Sequence, residues 1–344
     1  MSAPTADSFP ADTGAQDIAD KLQAYLAGKG VANPKVGGLR RLTGGSSHDT
    51  WALDLSEGEA ITPLVMRRNF ALASLDMSPQ AEFDLLSWLS AQGLPVAKPW
   101  LCATDDSPFG VPFVLAERID GTDLRKAVAA QEVSADPKAV AQGLVALQAR
   151  IHALSLDGCP LATSADPVRE AVERWTRALL DAPHASPGPL SRAAAAWLLA
   201  HTPAPQRLAL VHGDYKANNI LWRKDGTPVV LDWELTHIGD PVEDLAWTML
   251  WTSQYDVVGG MLSPADYVAA YEVAAGLSVD RFALHYWQLF AFVKLSAILL
   301  SGSGSISEDE QLSPSHVLLS RAVPCLEAGM AAHLARLTSE GQAA

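Results

Sequence analysis

The chain has 344 residues, of which 49% are hydrophobic and 19% are charged, and its formal net charge is −14 at pH 7. This is the composition of a globular protein with enough apolar residues for one large domain or two smaller ones. The negative charge argues against nucleic acid and against a membrane surface as partners, because both are anionic. It remains compatible with a local basic pocket that binds a small anion.

The three cysteines are scattered along the chain and form no CxxC pair, which favours a reducing compartment without structural disulfides. Residues 1–15 have neither the basic nor the apolar segment of a signal peptide, so we expect a disordered tail and a cytoplasmic protein. The most apolar segment, 285–300, contains Lys294 and is shorter than the ~20 residues of an unbroken membrane span. This favours a buried helix.

The first third of the chain changes from a helical to a sheet-like pattern. Apolar positions recur at helical spacing over 16–28. A glycine-rich turn then precedes the alternating segment 51–55, and the apolar run PLVM ends in Arg67 and Arg68, which predicts strands around a turn. A serine–proline start and a glycine end predict a helix over 78–93.

The rest of the chain is mainly helical in pattern. Segment 112–121 has the composition of a strand that ends in a turn, and a long helical pattern follows over 137–155. The change predicts an α+β fold with an N-terminal lobe over 16–119, built on a small antiparallel sheet. A mostly helical C-terminal lobe is expected over 120–344.

Polar residues concentrate in the stretch HGDYKANN, residues 212–219, between two short apolar runs. The Asp-Gly turn at 225–226 lies between the second run and a third, which predicts an antiparallel hairpin. Such a hairpin would return Asp232 to a position beside Asn219, with Asp214 in the loop that enters it. Carboxylate and amide oxygens suit Mg²⁺ with substrate phosphates, and a further carboxylate can orient a hydroxyl and accept its proton. Phosphoryl transfer needs this layout.

The spacing H-x-D-x-x-x-x-N at His212, Asp214 and Asn219, followed by an apolar strand and Asp232, resembles the catalytic loop and metal-binding aspartate of kinases. The forms HGD and DWE, together with HIGDPVEDLAW at 237–247, are similar to the aminoglycoside phosphotransferase and choline kinase superfamily. Within it, the chain resembles the general phosphotransferase branch, which includes kinase-like domains fused to acyl-CoA dehydrogenases.

The resemblance extends over about residues 35–305 and implies a protein-kinase-like two-lobe fold that uses ATP or GTP with Mg²⁺. It implies that Asp214 is the catalytic aspartate and that Asn219 and Asp232 bind the metal; turn-capping polar residues are the alternative. Lys216 would contact the transferring phosphoryl group or remain a solvated loop residue. His212 is expected to brace the loop by hydrogen bonds.

The segment TGGSSHDT, residues 43–50, is the candidate phosphate-covering loop of the N-terminal lobe. Gly44 and Gly45 permit unusual backbone angles, and Ser46 and Ser47 offer hydrogen-bond donors to phosphate. An ordinary hairpin is the alternative for a pair of glycines.

Arg67 occupies the strand position at which many relatives have a nucleotide-contacting lysine, and it would bind phosphate there. Glu82 on the following helix would hold Arg67 in an ion pair or be a surface carboxylate. Arg68 is expected to be solvated on the other face of the strand. The segment FVLAERIDG is expected to link the lobes, with the backbone near Glu117 and Ile119 contacting the purine edge.

The hydroxyl acceptor is expected between the 212–219 loop and the late helices, which are rich in aromatic residues. Such side chains can cage a quaternary ammonium or can pack as core. They are Trp247, Trp251, Tyr255, Tyr286, Trp287, Phe290 and Phe292. Carboxylates are few in this region, which disfavours an aminoglycoside. The resemblance favours a small, partly apolar alcohol or a hydroxyacyl thioester.

We therefore predict a small-molecule O-phosphotransferase whose partners are a nucleotide and a hydroxyl compound. A nucleotide-binding pseudokinase is the alternative, since an arginine replaces the usual lysine at position 67 and the phosphate loop is sparse in glycine. A metal-dependent hydrolase using His212, Asp214, Asp232 and His237 is a third possibility, although zinc sites normally use more histidine or cysteine ligands.

Overall fold

The structure is a computed structural model of the chain. It describes residues 14–42, 48–69, 77–133, 136–182, 187–302 and 314–341. Gly44, Gly45, Ser46 and Ser47 of the predicted phosphate-covering loop lie outside the described residues, as does most of the predicted N-terminal tail.

In the described N-terminal part of the chain, each of two helices is followed by three strands. In chain order the elements are α1 (Ala15–Gly28), β1 (Pro34–Arg41), β2 (His48–Glu57), β3 (Ala60–Asn69), α2 (Pro79–Ala91), β4 (Pro99–Ala103), β5 (Phe113–Glu117) and β6 (Gly121–Asp123). Helix α2 begins as the sequence predicts: Ser78 Oγ accepts a hydrogen bond from the Ala81 N–H at 3.2 Å, and Pro79 lies in the first turn.

The remainder is mainly helical, as the periodicity predicts. Its elements are α3 (Leu124–Ala129), α4 (Pro137–His152), α5 (Pro167–Leu180), α6 (Pro189–Ala200), β7 (Ala209–Val211), β8 (Ile220–Arg223), β9 (Pro228–Val230), β10 (His237–Gly239), α7 (Val242–Thr248), α8 (Pro264–Ala275), α9 (Arg281–Gly302) and α10 (Pro314–Gly341). A 3₁₀ turn spans Ala217–Asn219 and a π-helical turn spans Val257–Met261.

The chain forms two compact units. The first unit contains the residues up to Asp123, with Asp157–Leu161 and Ile220–Leu235; the second contains Leu124–Leu156, Ala162–Asn219 and the residues from Thr236 onward. The β8–β9 hairpin therefore belongs to the first unit, although it follows several helices of the second in sequence.

The first unit is built on an antiparallel sheet with the strand order β1-β2-β3-β5-β4. Alternate residues of each strand point to opposite faces. On β3, Leu64 and Met66 are buried in the core that includes Ile18 of α1, whereas Val65 and Arg67 line a cavity. Burying one such apolar side chain contributes about 1.5–3 kcal/mol to the free energy of folding, so the face with Leu64 and Met66 stabilises the sheet. The opposite face is open to the cavity.

The predicted hairpin is present as β8 and β9. The strands pair antiparallel, with Ile220 opposite Val230, and β6 pairs with the outer edge of β8. At the turn, the Gly226 N–H donates to the Arg223 carbonyl at 2.9 Å, and Gly226 has a φ of +84°, which glycine adopts without steric cost.

The second unit has a core around α9. Tyr286, Trp287 and Phe290 are fully buried, which confirms the buried helix predicted over 285–300. By length and hydropathy, Arg281–Leu300 would suffice to cross a membrane, but 61% of its most apolar window is buried by the rest of the protein. Core helices of globular proteins share this pattern. The cellular location of the protein stays a prediction.

Candidate active site

The first unit contains a cavity of about 850 Å³. Its wall consists of the face of the sheet opposite α1, the segment after β5 and the β8–β9 hairpin. Apolar side chains, including Val65, Val114 and Leu221, alternate with polar ones, including Arg67 and Asp232. A concave, mostly apolar site with a few polar groups is typical of small-molecule pockets.

Arg67 and Glu82 form an ion pair in the wall of this cavity. Glu82 is only 4% exposed, so it is not a surface carboxylate. Burial alone would lower the pKa of Arg67, but the charges of Glu82, Asp232 and Glu234 outweigh burial and raise it. The guanidinium is thus held in place as a permanent cation at the cavity.

Arg68 differs from the expectation of a solvated side chain. It is 7% exposed and donates from Nε to Asp49 Oδ2 at 2.9 Å, and its guanidinium lies over the Phe109 ring at 5.3 Å. Strand alternation places Arg68 on the same face as Met66, so its charge requires a buried partner. Asp49 supplies that partner, and the expectation of a solvated Arg68 was wrong.

The segment predicted to contact the purine, Glu117–Ile119, lines the cavity. The Glu117 N–H donates to the Lys98 carbonyl at 2.8 Å, and the Arg118 N–H donates to the Pro63 carbonyl at 3.1 Å. Within the described part of the chain, no group accepts a hydrogen bond from the Ile119 N–H. Ile119 therefore offers the backbone donor that a purine edge requires.

Asp232 follows the hairpin and lines the same cavity. Its φ is +64°, a left-handed conformation that aspartate tolerates better than most residues and that often occurs at functional sites. A carboxylate is a hard oxygen ligand and therefore fits Mg²⁺. Asn219, its predicted co-ligand, belongs to the second unit, and the metal site that would join the two residues stays a prediction.

The second unit places Asp214 in the loop after β7, where three side chains donate to its carboxylate. Trp247 Nε1 donates to Oδ1 at 2.7 Å. Lys216 Nζ donates to Oδ2 at 2.8 Å and Asn219 Nδ2 donates to Oδ2 at 2.7 Å. Asp214 is only 6% exposed, and these three donors offset the cost of burying its charge.

Asn219 is oriented by its contacts with Asp214. Its amide nitrogen donates to the backbone carbonyl of Asp214 at 3.0 Å as well as to the carboxylate. Because the nitrogen is used in this way, the amide oxygen is the atom that remains for a hard cation. The donor chemistry therefore fits the predicted magnesium role.

Lys216 lies against Asp214 and also over the ring of Trp251, with Nζ 5.1 Å from the ring centroid. Lys216 is therefore not a freely solvated loop lysine, because its ammonium group contacts Asp214 and Trp251. A contact with the transferring phosphoryl group stays a prediction.

His212 braces the loop, as the sequence predicts. Its Nδ1 accepts the Asp214 N–H at 3.1 Å, which requires the neutral Nε2–H tautomer, and its carbonyl accepts from the Thr236 hydroxyl at 3.2 Å. His237, the other histidine proposed for a hydrolase site, pairs through Nε2 with Glu243 Oε2 at 3.0 Å. Both rings are therefore engaged within the fold.

Asp244 fixes the backbone of the same loop. Its carboxylate accepts the N–H groups of His212 and Gly213 at 2.7 and 2.8 Å, and it pairs with His152 Nε2 at 3.0 Å. Burial alone would raise the pKa of Asp244, but the hydrogen bond and charge of His152, together with the hydrogen bond from the His212 backbone N–H, lower it to about 2. Asp244 is therefore an anion in the core at neutral pH.

Lys294 is a buried cation in the core beside this loop. It is 0% exposed, and its Nζ donates to the Gly213 carbonyl at 2.7 Å and to Glu243 Oε1 at 3.0 Å. Burial would raise the pKa of Glu243, but the charges of Lys294 and His237 lower it. Lys294 thus holds the Gly213 carbonyl, and Glu243 balances the charge of Lys294 inside the core.

Sequence reasoning did not assign these loop contacts to Asp244, Trp247 and Lys294. One signal was available: a single lysine within the apolar segment 285–300 indicates a buried partner, since an unpaired charge there would be too costly. Helix α7 contacts both the loop at 212–215, through Asp244 and Trp247, and the segment after Asp232, through the pair of Glu243 with His237.

The late aromatic residues divide into two groups. Tyr286, Trp287 and Phe290 are core residues, and two of them have internal partners: the Tyr286 hydroxyl donates to the Leu198 carbonyl and Trp287 Nε1 donates to Asp240. Trp251 is half-buried and lies edge-on to the Trp247 ring, with the centroids 5.9 Å apart. Core packing therefore explains most of the set.

A sequence model described as the phosphotransferase enzyme family matches residues 38–287. The protein belongs to this family. The matched segment includes the cavity wall of the first unit and the Asp214 loop of the second, so the family resemblance inferred from the HGD and DWE motifs is confirmed.

Solved structures share the fold of this chain. A candidate aminoglycoside phosphotransferase from Ralstonia eutropha is 21% identical, with a TM-score of 0.69 over 91% of this chain and 97% of that chain. The choline kinase LicA from Streptococcus pneumoniae is 15% identical, with a TM-score of 0.61 over 91% and 98%. These likenesses confirm the predicted α+β kinase-like fold, with its antiparallel-sheet N-terminal part and helical C-terminal part.

Several of the structural neighbours were solved with nucleotides. LicA in complex with AMP is 15% identical with a TM-score of 0.60 over 92% of this chain and 99% of that chain. A GDP complex of aminoglycoside 2′-phosphotransferase-IIIa is 14% identical with a TM-score of 0.61 over 92% and 99%.

The curated relatives of this chain are much longer proteins. Acyl-CoA dehydrogenase family member 10 of Mus musculus is 26% identical over 302 residues, which are 81% of this chain and 28% of that protein. Member 11 of Homo sapiens is 27% identical over 259 residues, which are 69% and 33%. The chain spans about a third or less of these relatives.

Proposed function

We propose that the protein transfers the γ-phosphoryl group of ATP or GTP to a hydroxyl group of a small molecule, with Mg²⁺ as the metal. The observation that supports this most strongly is the Asp214 carboxylate in the HGD loop of a phosphotransferase-family chain, held by three side-chain donors. A carboxylate fixed in this way orients an acceptor hydroxyl and takes its proton.

We assign nucleotide binding to the cavity of the first unit. Its apolar walls suit a purine ring, and the Ile119 N–H supplies a donor for the ring edge. Arg67, held by Glu82, would neutralise charge on the phosphates, since a guanidinium binds phosphate oxygens in a bidentate manner.

Asp232 and Asn219 are proposed as the protein ligands of Mg²⁺, from the sequence and from the chemistry of their oxygens. When bound, the metal supplies positive charge to the phosphate oxygens of the nucleotide. Asp232 contributes the carboxylate, and Asn219 contributes the amide oxygen that its bonds to Asp214 leave available.

The acceptor is proposed to be a small, partly apolar alcohol or a hydroxyacyl thioester. Two partly exposed cations touch the 212–219 loop: Lys216 bonds to Asp214, and Arg125 donates to Asn218 Oδ1 at 3.1 Å. Both cations are paired with carboxylates, Lys216 with Asp214 and Arg125 with Asp256, so these aspartates are not free to bind the amines of a polycationic aminoglycoside, and that substrate class is the less favoured variant.

The second candidate function is a pseudokinase, which would bind nucleotide without transferring phosphate. An arginine at position 67 favours it, because the usual lysine is replaced. The retained ion pair of Arg67 with Glu82, and the donors around Asp214, favour an active enzyme instead.

A thermal-shift titration with ATP and with GTP, each with and without Mg²⁺, tests nucleotide binding. A ligand at a hundred times its dissociation constant stabilises the folded state by about 2.7 kcal/mol, which is readily measured. We expect a magnesium-dependent shift in the wild type that is weaker in Asp232→Asn.

The matched control is Asp225→Asn, which changes an aspartate in the exposed turn of the same hairpin. It should keep the full magnesium-dependent shift. Absence of any shift with both nucleotides would remove the nucleotide-dependent function, and an equal shift in Asp232→Asn would remove the metal role of Asp232.

A further inference from the structure

Helix α7 bonds to the catalytic loop at residues 212–215 in more than one way. Asp244 accepts two backbone N–H groups of the loop, and the Thr248 hydroxyl donates to a backbone carbonyl of the loop at 2.9 Å. Trp247 instead bonds to a functional side chain, through the hydrogen bond from Nε1 to Asp214 Oδ1 at 2.7 Å. This helix therefore fixes both the loop backbone and the catalytic carboxylate.

The two oxygens of the Asp214 carboxylate have different partners. Oδ2 accepts two hydrogen bonds, from Lys216 and Asn219, whereas Oδ1 accepts one, from Trp247, among the donors in the described part of the chain. A carboxylate oxygen has two lone pairs for acceptance. Those of Oδ2 are both used, and one of Oδ1 remains available for a further hydrogen bond.

The Trp247 indole has little freedom to move. It is 2% exposed, the ammonium of Lys294 lies 4.9 Å from its ring centroid, and Trp251 packs edge-on against it. Lys294 also bonds to Glu243, which lies one turn before Trp247 on α7. These buried neighbours therefore fix the direction in which the indole N–H points.

We propose that Trp247 is a positioning residue for phosphoryl transfer, acting through Asp214. Its N–H fixes the rotation of the carboxylate and makes Oδ1 the oxygen that receives the proton of the acceptor hydroxyl. This inference rests on the proposed function. The acceptor oxygen forms a bond to the γ-phosphorus, the bond from phosphorus to the bridging oxygen breaks, and its electron pair leaves on the nucleoside diphosphate. The hydroxyl proton moves to Oδ1.

Trp247→Phe tests the inference because it keeps an aromatic ring in the buried site and removes only the donor. Turnover with an acceptor from a hydroxyl-compound panel should fall about 10- to 100-fold, since a misrotated carboxylate is a poorly placed base. The Kd of the magnesium nucleotide and the KM of the acceptor should stay within about twofold. Unchanged turnover would overturn the inference.

Trp287→Phe is the matched control. It removes a buried indole N–H that also donates to a carboxylate, Asp240, at 2.9 Å, away from the catalytic loop. It should lower the melting temperature to a similar extent and keep turnover within about twofold. A similar loss of turnover in both variants would assign Trp247 a general packing role and would overturn its positioning role.

The hydrogen bond from Trp247 to Asp214 can be measured without acceptor or nucleotide. In protein labelled with ¹⁵N-tryptophan, the indole N–H resonance of Trp247 is assigned by its loss in Trp247→Phe. We expect it to be displaced downfield, as for a short hydrogen bond to a carboxylate, and to move upfield in Asp214→Ala. A resonance that does not respond to Asp214→Ala would overturn the inference while leaving the proposed function intact. Absent nucleotide binding in the wild type, with that response preserved, would overturn the proposed function and leave only the hydrogen bond.

Discussion

Polar side chains differ in exposure between the cavity of the first unit and the loop at residues 212–219 of the second. In the cavity, Arg67 is 27% exposed at its side chain and Asp232 is half-buried, so both can meet a ligand. In the second unit, Lys294 and Asp244 are fully buried, and both bond to backbone groups of the loop at residues 212–215. In the proposed function, the charges in the cavity would bind the nucleotide, whereas the charges in the core hold the loop that carries Asp214.

Lys294→Met has the largest expected effect on the stability of the protein. It leaves Glu243 as a buried charge without its lysine, which should cost about 3–5 kcal/mol of unfolding free energy. Urea unfolding measures this loss. The double variant Lys294→Met/Glu243→Gln should recover a large part of it, because the uncompensated charge is then removed.

The control for this prediction is Lys224→Met, which breaks an ion pair with Asp120 whose side chains are 83% and 80% exposed. It should cost no more than about 1 kcal/mol. If both lysine variants cost the same, the core charges do not stabilise the loop in the way that the comparison requires.

Asp244 should make the stability of the protein depend on pH in the acid range. Its pKa is about 2 in the folded protein, below the ~3.9 of an unfolded chain, so the folded state binds the proton less well. The stabilisation is therefore present above about pH 4 and is lost as the pH falls toward 2, by about 2 kcal/mol. Unfolding curves between pH 5 and pH 2 measure it.

The amide of Asp244→Asn does not titrate. The unfolding free energy of this variant should therefore fall less steeply with decreasing pH than that of the wild type. The difference between the two profiles isolates Asp244 from the other carboxylates of the chain. Parallel profiles would mean that Asp244 is not the buried anion of the loop.

Of these three changes in free energy, that of Glu82→Gln should be the smallest, and it should affect nucleotide binding. The variant weakens the ion pair that holds Arg67, so nucleotide affinity should fall about tenfold, which is roughly 1.4 kcal/mol. Calorimetric titration of the magnesium nucleotide measures it. Asp84→Asn, an exposed change on the same helix, should leave affinity unaltered, and a loss of folding stability without loss of affinity in Glu82→Gln would contradict the comparison.

The sequence predicted the elements of the site better than their surroundings. The hairpin around the Asp-Gly turn and the start of α2 at Ser78 follow from local rules, and both are present. The buried state of Arg68 and the role of Lys294 were not predicted, because each depends on a partner far away in sequence. Periodicity reports which face a residue occupies and not which charge will meet it there.

The bond from Trp247 to Asp214 illustrates the same limit. An aromatic residue in an apolar helix is adequately explained as core, and Trp247 is indeed buried. Only the position of the loop relative to α7, within the second unit, shows that the indole N–H donates to the Asp214 carboxylate.

The most direct test of the central claim is transfer of label from γ-³²P-ATP or γ-³²P-GTP to a panel of small hydroxyl compounds, by the wild type and by Asp214→Asn. We predict a labelled product with the wild type. In Asp214→Asn the rate should be lower by about 10²- to 10⁴-fold, the range of general base catalysis, while the nucleotide binds with unchanged affinity. An Asp214→Asn variant that forms the same product at the wild-type rate would contradict the account.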